Sequence, residues 1–267
     1  MRGPSITLFM LLFFLAPGCG TDQAPKSGAN ETSDQLPPDS LRTLYQKLSA
    51  MHTDTLPLRQ IQEQHKLYAV DEAPLDTAFY VFREQLLQAV RQYDVFALLD
   101  AVDKDIEVSG AKEPGVAGLV TYYGLTPSAA DSLPIWQIME NLLLEGGTFS
   151  ENGRAFTAPY YAATWPKQYA ADEYAVINGS GVRIRSAPNL NSSIVKTVSY
   201  ELVKYLETTD QTEEIGDEEY PWAAIELSGG QKGFVYGKFV ARANGYRARF
   251  ERTGPQQWAM TQLLHGD

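Results

Sequence analysis

Cysteine is almost absent from this chain of 267 residues, which contains only Cys19. A single cysteine excludes an intramolecular disulfide, so this thiol needs another explanation. It also restricts catalysis, because the cysteine peptidases that cut cell-wall peptides need a thiolate paired with histidine. If Cys19 is consumed at an export signal, no thiol is left for that mechanism, and it is excluded.

Long apolar runs are missing as well. Residues 6–15 form a near-continuous apolar run, but a transmembrane helix needs about 20 such residues. The run follows the positively charged Arg2 and precedes small residues. This pattern predicts an export signal over residues 1–18.

The residues around the predicted cleavage point resemble the lipobox of bacterial lipoproteins, with residues 15–18 (LAPG) directly before Cys19. The resemblance implies that Cys19 is acylated, which gives an outer-membrane lipoprotein facing the periplasm or the cell surface. Ordinary cleavage, which leaves a soluble periplasmic protein, is the alternative. Residues 19–38 have almost nothing to bury, so we expect a disordered tether between the lipid anchor and the first folded element.

Basic residues are scarce, since 22 Lys and Arg face 33 Asp and Glu, for a net charge of −11. The isoelectric point is near 4.8. An acidic surface without a basic run repels nucleic acid backbones and anionic lipids. We therefore expect no nucleic acid partner, and membrane contact only through the N-terminal acyl anchor.

Histidine is also rare. His52, His65 and His265 lie far apart without the spacing of metal ligands, which is typical of surface or capping residues. The sequence lacks the serine-hydrolase elbow, the phosphate-binding and dinucleotide-binding loops and the zinc-protease motif. We therefore expect no catalytic residue, no metal and no cofactor.

Acidic residues leave alternatives open. Asp103, Asp105 and Glu107 lie close together after a predicted helix, and carboxylates can act as general acids and bases. A solvated run is the simpler interpretation. The acidic residues between 210 and 219 lack the spacing of a calcium-binding loop, so they predict a mobile solvated loop.

Apolar residues at helical spacing predict a mainly helical domain over residues 39–172. Predicted helices begin near residues 39, 58, 76, 94, 116 and 132, and the one near 58 has the weaker pattern. The strongest stripe belongs to the helix from 76: Phe79, Phe82, Leu86, Val90 and Tyr93. Arg83 and Glu84 lie off this stripe.

From residue 174 the apolar period changes to two, and short strands separated by Gly turns predict a small closed barrel over residues 173–242. This segment resembles the bacterial SH3-like (SH3b) family. Its shared residues are Val182, Arg183, Ile184, Arg185, Pro188, Ile194, Val195, Trp222, Ile225, Leu227, Gly230, Gly233, Phe234 and Val235. Residues 207–221 are longer than the family's loop, so ligand contacts there do not carry over.

Residues 243–267 alternate around a Thr-Gly-Pro turn and predict a C-terminal β-hairpin that packs on the preceding domains. One arrangement returns the hairpin to the N-terminal helices, which makes the barrel an insertion. The predicted fold class is therefore α+β: a helical N-terminal domain, a small SH3-like barrel and a hairpin. The complete layout resembles a group of exported bacterial SH3-like proteins, and this resemblance implies no activity.

Aromatic residues on the barrel suggest a ligand groove, because exposed rings bind peptide or sugar by stacking and apolar contact. The candidates are Tyr205, Tyr220, Trp222 and Tyr236, although Trp222 can also fill the barrel core. The favoured hypothesis is a non-enzymatic, membrane-anchored binding module of the cell envelope that holds a wall peptide, glycan or protein segment. The alternatives are a carboxylate-dependent hydrolase and a small-molecule cavity in the N-terminal helical region.

Overall fold

The computed structural model describes residues 38–52, 56–126 and 131–266. The predicted export signal, Cys19 and the tether up to residue 37 lie outside the described residues. The helices are α1 (Pro38–Ser49), α2 (Thr77–Arg91), α3 (Val95–Asp100), α4 (Gly115–Tyr123), α5 (Pro134–Leu144) and α6 (Tyr160–Ala163), with 3-10 helices at Ala73–Leu75 and Gly237–Phe239. None of these described helices has the length and apolar character to cross a membrane.

The strands of the described residues form a two-stranded hairpin, a five-stranded sheet and a seven-stranded sheet. They are β1 (Gln62–Glu63), β2 (Lys66–Leu67), β3 (Val102–Val108), β4 (Thr148–Ser150), β5 (Ala155–Ala158), β6 (Tyr174–Ile177), β7 (Val182–Arg185), β8 (Ile194–Val198), β9 (Leu202–Ile215), β10 (Glu218–Glu226), β11 (Lys232–Tyr236), β12 (Val240–Ala241), β13 (Arg247–Gly254) and β14 (Gln257–Leu264). The fold is therefore mixed helix and sheet.

The five-stranded sheet has the order β3-β14-β13-β5-β4 and packs against α2. Its strands are antiparallel except for the parallel pair β14 and β3. The shared core contains fully buried Phe79 of α2 and Phe156, Phe250 and Met260 of the sheet. Residues 39–172, predicted to be mainly helical, thus contribute three of the five strands.

The C-terminal hairpin β13–β14 occupies the interior of this sheet. β13 pairs with β5, with Ala248 opposite Ala158, and Arg252 forms an ion pair with Asp76 at the start of α2. All strands of the seven-stranded sheet come from residues 174–241, between these paired residues. That segment is inserted into the fold of the five-stranded sheet.

The seven-stranded sheet has the order β12-β6-β9-β10-β11-β7-β8, is antiparallel throughout, and curls into a half-barrel. Alternate residues point into its own core, as the period of two requires. That core includes Ala175, Ile177, Val182, Ile184, Val198, Val203, Ala223, Ile225, Leu227 and Val235.

Local capping signals explain where two helices begin. The Asp76 carboxylate accepts a hydrogen bond from the Phe79 amide at 2.9 Å. The Asp94 carboxylate accepts one from the Ala97 amide at 3.0 Å. Each side chain satisfies an amide that has no partner within its own helix, and both helix starts are confirmed.

The helix predicted from residue 58 is wrong. Residues 62–67 form the small hairpin β1–β2, and His65 has a positive φ of 60° that a helix does not allow. The Leu67 amide donates to the Tyr200 carbonyl at 2.8 Å, and the Leu202 amide donates to the His65 carbonyl at 2.9 Å. Pairing with the half-barrel therefore overrides the weak helical pattern.

Candidate functional site

A cavity of about 310 Å³ lies beside α1, α2 and the end of α5. This volume falls in the range of small-molecule sites, which begins at about 300 Å³. The apolar lining residues are Leu56, Leu58, Pro74, Leu87, Leu143 and Leu144. The polar and charged lining residues are Tyr45, Ser49, His52, Asp71, Tyr80, Arg83 and Glu84. An apolar wall with a few converging polar groups is typical of a ligand site.

Arg83 joins two carboxylates in the wall of this cavity. Its Nη1 donates to Asp71 Oδ1 and Oδ2 at 2.8 and 2.7 Å. Its Nε and Nη2 donate to Glu84 Oε1 at 3.3 and 3.1 Å. Fixed in this way, the guanidinium cannot turn toward another partner without breaking charged hydrogen bonds.

The burial of this pair corrects the sequence analysis, which placed Arg83 and Glu84 off the buried stripe. They are 7% and 5% exposed. Helix α2 is buried on more than its apolar stripe, because α1 and α5 also pack against it. Burial alone lowers the pKa of Arg83, but attraction to Asp71 and Glu84 outweighs it and raises the pKa above its ordinary value.

His52 extends the network to the surface. Its Nε2 lies 2.7 Å from Glu84 Oε2, and its side chain is 34% exposed. The spacing of the histidines predicted a surface or capping role for His52. The contact with Glu84 has no local sequence signal, since 32 residues separate the pair. Across the described residues, no group of three or more His, Cys, Asp and Glu side chains has the arrangement of a metal site.

Tyr80 adds a polar group to the same wall. It is 4% exposed, its ring lies 4.9 Å from that of Tyr45, and the Arg83 guanidinium lies 5.5 Å from its ring centre. Burial, reinforced by the charge of Glu84, raises the pKa of Tyr80 to about 12. Its hydroxyl is therefore neutral at physiological pH.

Asp71 is positioned by its backbone. Its amide donates to the Pro57 carbonyl at 2.8 Å, and the Gly147 amide donates to the Val70 carbonyl at 3.0 Å. Gly146 makes this approach possible, because a Cβ there would lie 2.4 Å from the Val70 carbonyl oxygen. The Asp71 carboxylate also accepts from the Ala73 amide at 3.1 Å, which opens the 3-10 helix.

A second, largely buried polar network connects α5 and α6 with the segment that follows β6. Glu145 accepts hydrogen bonds from Tyr161 Oη at 2.7 Å and from Asn178 Nδ2 at 2.9 Å, and Tyr160 Oη donates to Asn178 Oδ1 at 3.0 Å. Burial raises the pKa of Glu145, although both hydrogen bonds oppose the shift. We assign this network a structural role, since its groups satisfy one another.

The raised pKa of Glu145 predicts a pH dependence. The folded state binds the proton more tightly than the unfolded chain, so stability from this group is complete below the ordinary pKa. It is lost as pH rises through the raised value. Glu145→Gln should remove this loss, so its free energy of unfolding relative to wild type should rise as the pH increases from the ordinary carboxyl pKa through the raised one. Urea unfolding at several pH values measures the difference. Exposed Glu207→Gln is the control, and matching profiles for the two variants would contradict the prediction.

The four groove candidates on the half-barrel separate into two places. Tyr220 and Trp222 both contact Tyr236, with ring centres 5.6 and 5.9 Å away. Tyr205 is half-buried on the core side, and Arg242 lies 4.8 Å above its ring. The four residues therefore do not line one continuous groove.

Burial removes two of these candidates from any exposed surface. Trp222 is 1% exposed, and Tyr236 is 4% exposed. The Tyr236 hydroxyl donates to the carbonyls of Glu213 and Glu218 at 3.1 and 2.9 Å, which ties β11 to the tip of the β9–β10 hairpin. Tyr205 and Tyr220 keep partly exposed surfaces.

The acidic candidates lie outside the cavity. Asp105 pairs with Lys104, and Glu107 accepts from Gln262 Nε2 at 2.8 Å on the exposed side of β3. Residues 210–219 form a paired hairpin instead of the predicted loop, because strands β9 and β10 continue through them to a tight turn at Gly216, where φ is 69°. Their carboxylates lie along this hairpin.

Comparison with known protein families, with curated proteins and with solved structures found no match to this chain. Its function therefore has to be inferred from the geometry of its own residues.

Proposed function

We propose that this chain is a non-enzymatic binding protein of the bacterial cell envelope, whose cavity beside α1 and α2 holds a small molecule. The observation that carries the proposal is the cavity of about 310 Å³ with an apolar wall and the buried network of Asp71, Arg83 and Glu84. Because Arg83 and His52 already pair with the two carboxylates, these groups form a fixed polar wall better suited to binding than to proton transfer.

The proposed location rests on the sequence. An export signal over residues 1–18 and acylation of Cys19 would tether the folded part to the outer membrane, facing the periplasm or the cell surface. Metabolic labelling with an alkyne fatty acid should mark the wild-type chain and leave Cys19→Ser unmarked. Labelling of the variant would rule out this anchor.

The half-barrel supports a second candidate function. We propose that it is an SH3-like barrel that holds a wall peptide, a glycan or a segment of an envelope protein. The partly exposed Tyr205 and Tyr220 favour this candidate, because tyrosine combines apolar contact area with a polar hydroxyl. The buried Trp222 contributes to the packing of the half-barrel.

One experiment separates the two sites. Metabolite-sized envelope compounds and purified sacculi are each incubated with the wild type and with three variants. We expect Ser49→Phe, which places a ring in the cavity, to lose small-molecule binding measured by native mass spectrometry. Ser49→Ala is its matched control, and we expect it to keep binding. The variant Tyr205→Ala/Tyr220→Ala tests recovery on sacculi.

The outcomes are distinct. If Ser49→Phe loses small-molecule binding and the other variants keep it, the cavity is supported as the binding site. Loss of sacculus binding in the double tyrosine variant alone supports the barrel. Wild-type protein that retains no compound and does not sediment with sacculi contradicts both candidates. Consumption of a wall substrate would contradict the non-enzymatic proposal.

A further inference from the structure

The cavity wall has more carboxylates than permanently charged cations. Asp71 and Glu84 share the single guanidinium of Arg83, and Glu84 also contacts the imidazole of His52. Both carboxylates and Arg83 are largely removed from water, with side-chain exposures of 13%, 6% and 8%. A charge shielded from water in this way acts more strongly on a ligand than a surface charge does.

Acceptor positions remain open on these groups. An ionised carboxylate offers about four lone-pair sites. Asp71 accepts two contacts from Arg83 and one from the Ala73 amide, while Glu84 accepts two from Arg83 and one from His52. About one site is therefore left on each carboxylate. Tyr80 also lines the cavity, and a tyrosine hydroxyl can accept hydrogen bonds.

The remaining wall sets the shape of a suitable ligand. Five leucines can pack against the apolar part of a ligand: Leu56, Leu58, Leu87, Leu143 and Leu144. The ring of Tyr45 lies beside that of Tyr80. A ligand that matches both parts of the wall has an apolar group and a positively charged donor group. An anionic ligand would face the carboxylates Asp71 and Glu84, while Arg83 is already paired with both of them.

We infer that the cavity binds a small organic cation, a protonated amine with an apolar body, whose ammonium group takes the open acceptor positions of Asp71, Glu84 and Tyr80. This inference rests on the proposed small-molecule function of the same cavity. It specifies the charge of the ligand, which the proposed function leaves open.

Three probes of equal chain length and different charge test this inference: n-hexylammonium, hexan-1-ol and hexanoate. Isothermal titration calorimetry on the wild-type protein at neutral pH should give about tenfold tighter binding for hexylammonium than for hexanol, and the weakest binding for hexanoate. Glu84→Gln removes one of the two carboxylates from the cavity wall, so the ratio of hexylammonium to hexanol affinity should fall severalfold. Glu140→Gln removes a carboxylate from an exposed ion pair with Arg91, outside the cavity, and should leave this ratio unchanged.

Asp71→Asn provides a second test should Glu84→Gln fail to fold, and the same fall in the ratio is expected. Equal affinity for hexylammonium and hexanol would overturn the cation inference while leaving a small-molecule cavity in place, provided that Ser49→Phe weakens both. Tightest binding of hexanoate would also overturn it. Failure of all three probes to bind the wild type would count against both the inference and the cavity function.

Discussion

Replacing Arg83 with methionine should lower the free energy of unfolding by about 3–5 kcal/mol. The change keeps an unbranched apolar stem but removes the guanidinium that neutralises Asp71 and Glu84. Both carboxylates would then remain in a poorly solvated site without their cation, and this uncompensated burial is the source of the loss. Urea unfolding followed by circular dichroism measures the effect.

The matched control lies on the same helix. Arg91 pairs with Glu140 at 2.7 Å, but its side chain is 49% exposed, so Arg91→Met should cost less than about 1 kcal/mol. Adding Asp71→Asn and Glu84→Gln to Arg83→Met should recover part of the loss, because the two charges are removed together with their partner. Similar losses for Arg83→Met and Arg91→Met would show that the network is better solvated than its burial indicates.

Replacing Phe79 with alanine should lower the free energy of unfolding by about 3–5 kcal/mol through loss of core packing. The ring is fully buried, and the centres of Phe156 and Trp258 lie 4.3 and 4.8 Å away. The rings of Phe149 and Phe250 lie within 6 Å as well. One truncation therefore opens a cavity between α2 and four strands of the five-stranded sheet, β4, β5, β13 and β14.

Phe96 is the control for this prediction. It lies on α3 and is 63% exposed, so Phe96→Ala should change the free energy of unfolding by no more than about 0.5 kcal/mol. Denaturant unfolding of both variants gives the comparison. A loss below about 1 kcal/mol for Phe79→Ala would mean that the surrounding rings collapse into the space, and the core would be more adaptable than its contacts suggest.

Elements with local signals could be predicted from the sequence. Asp76 and Asp94 fixed two helix starts because each cap acts on an amide three residues away. The alternation of apolar and polar residues after residue 174 indicated strands, because side chains two residues apart lie on the same face of a strand and the pattern is therefore visible locally. The helix predicted from residue 58 failed because Leu67 is stabilised by Tyr200, a partner far along the chain.

The candidate site depends on such distant partners. Glu84 meets His52 across 32 residues, and Arg83 meets Asp71 across 12. On a helical pattern, adjacent Arg and Glu indicate a solvated face, and only the packing of α1 and α5 on α2 makes them interior residues. The sequence did contain a signal for this burial. Apolar residues beyond the main stripe widen the apolar surface of α2: Ala78, Tyr80, Val81 and Leu87.

The insertion of residues 174–241 also dictates an order of assembly during synthesis. All seven strands of the half-barrel leave the ribosome before β13 and β14 do. Yet β14 lies between β3 and β13, and Gln262 bonds to Glu107 across 155 residues. The half-barrel can thus form first on the nascent chain. The apolar side of α2 stays partly uncovered until β13 and β14 have been synthesised.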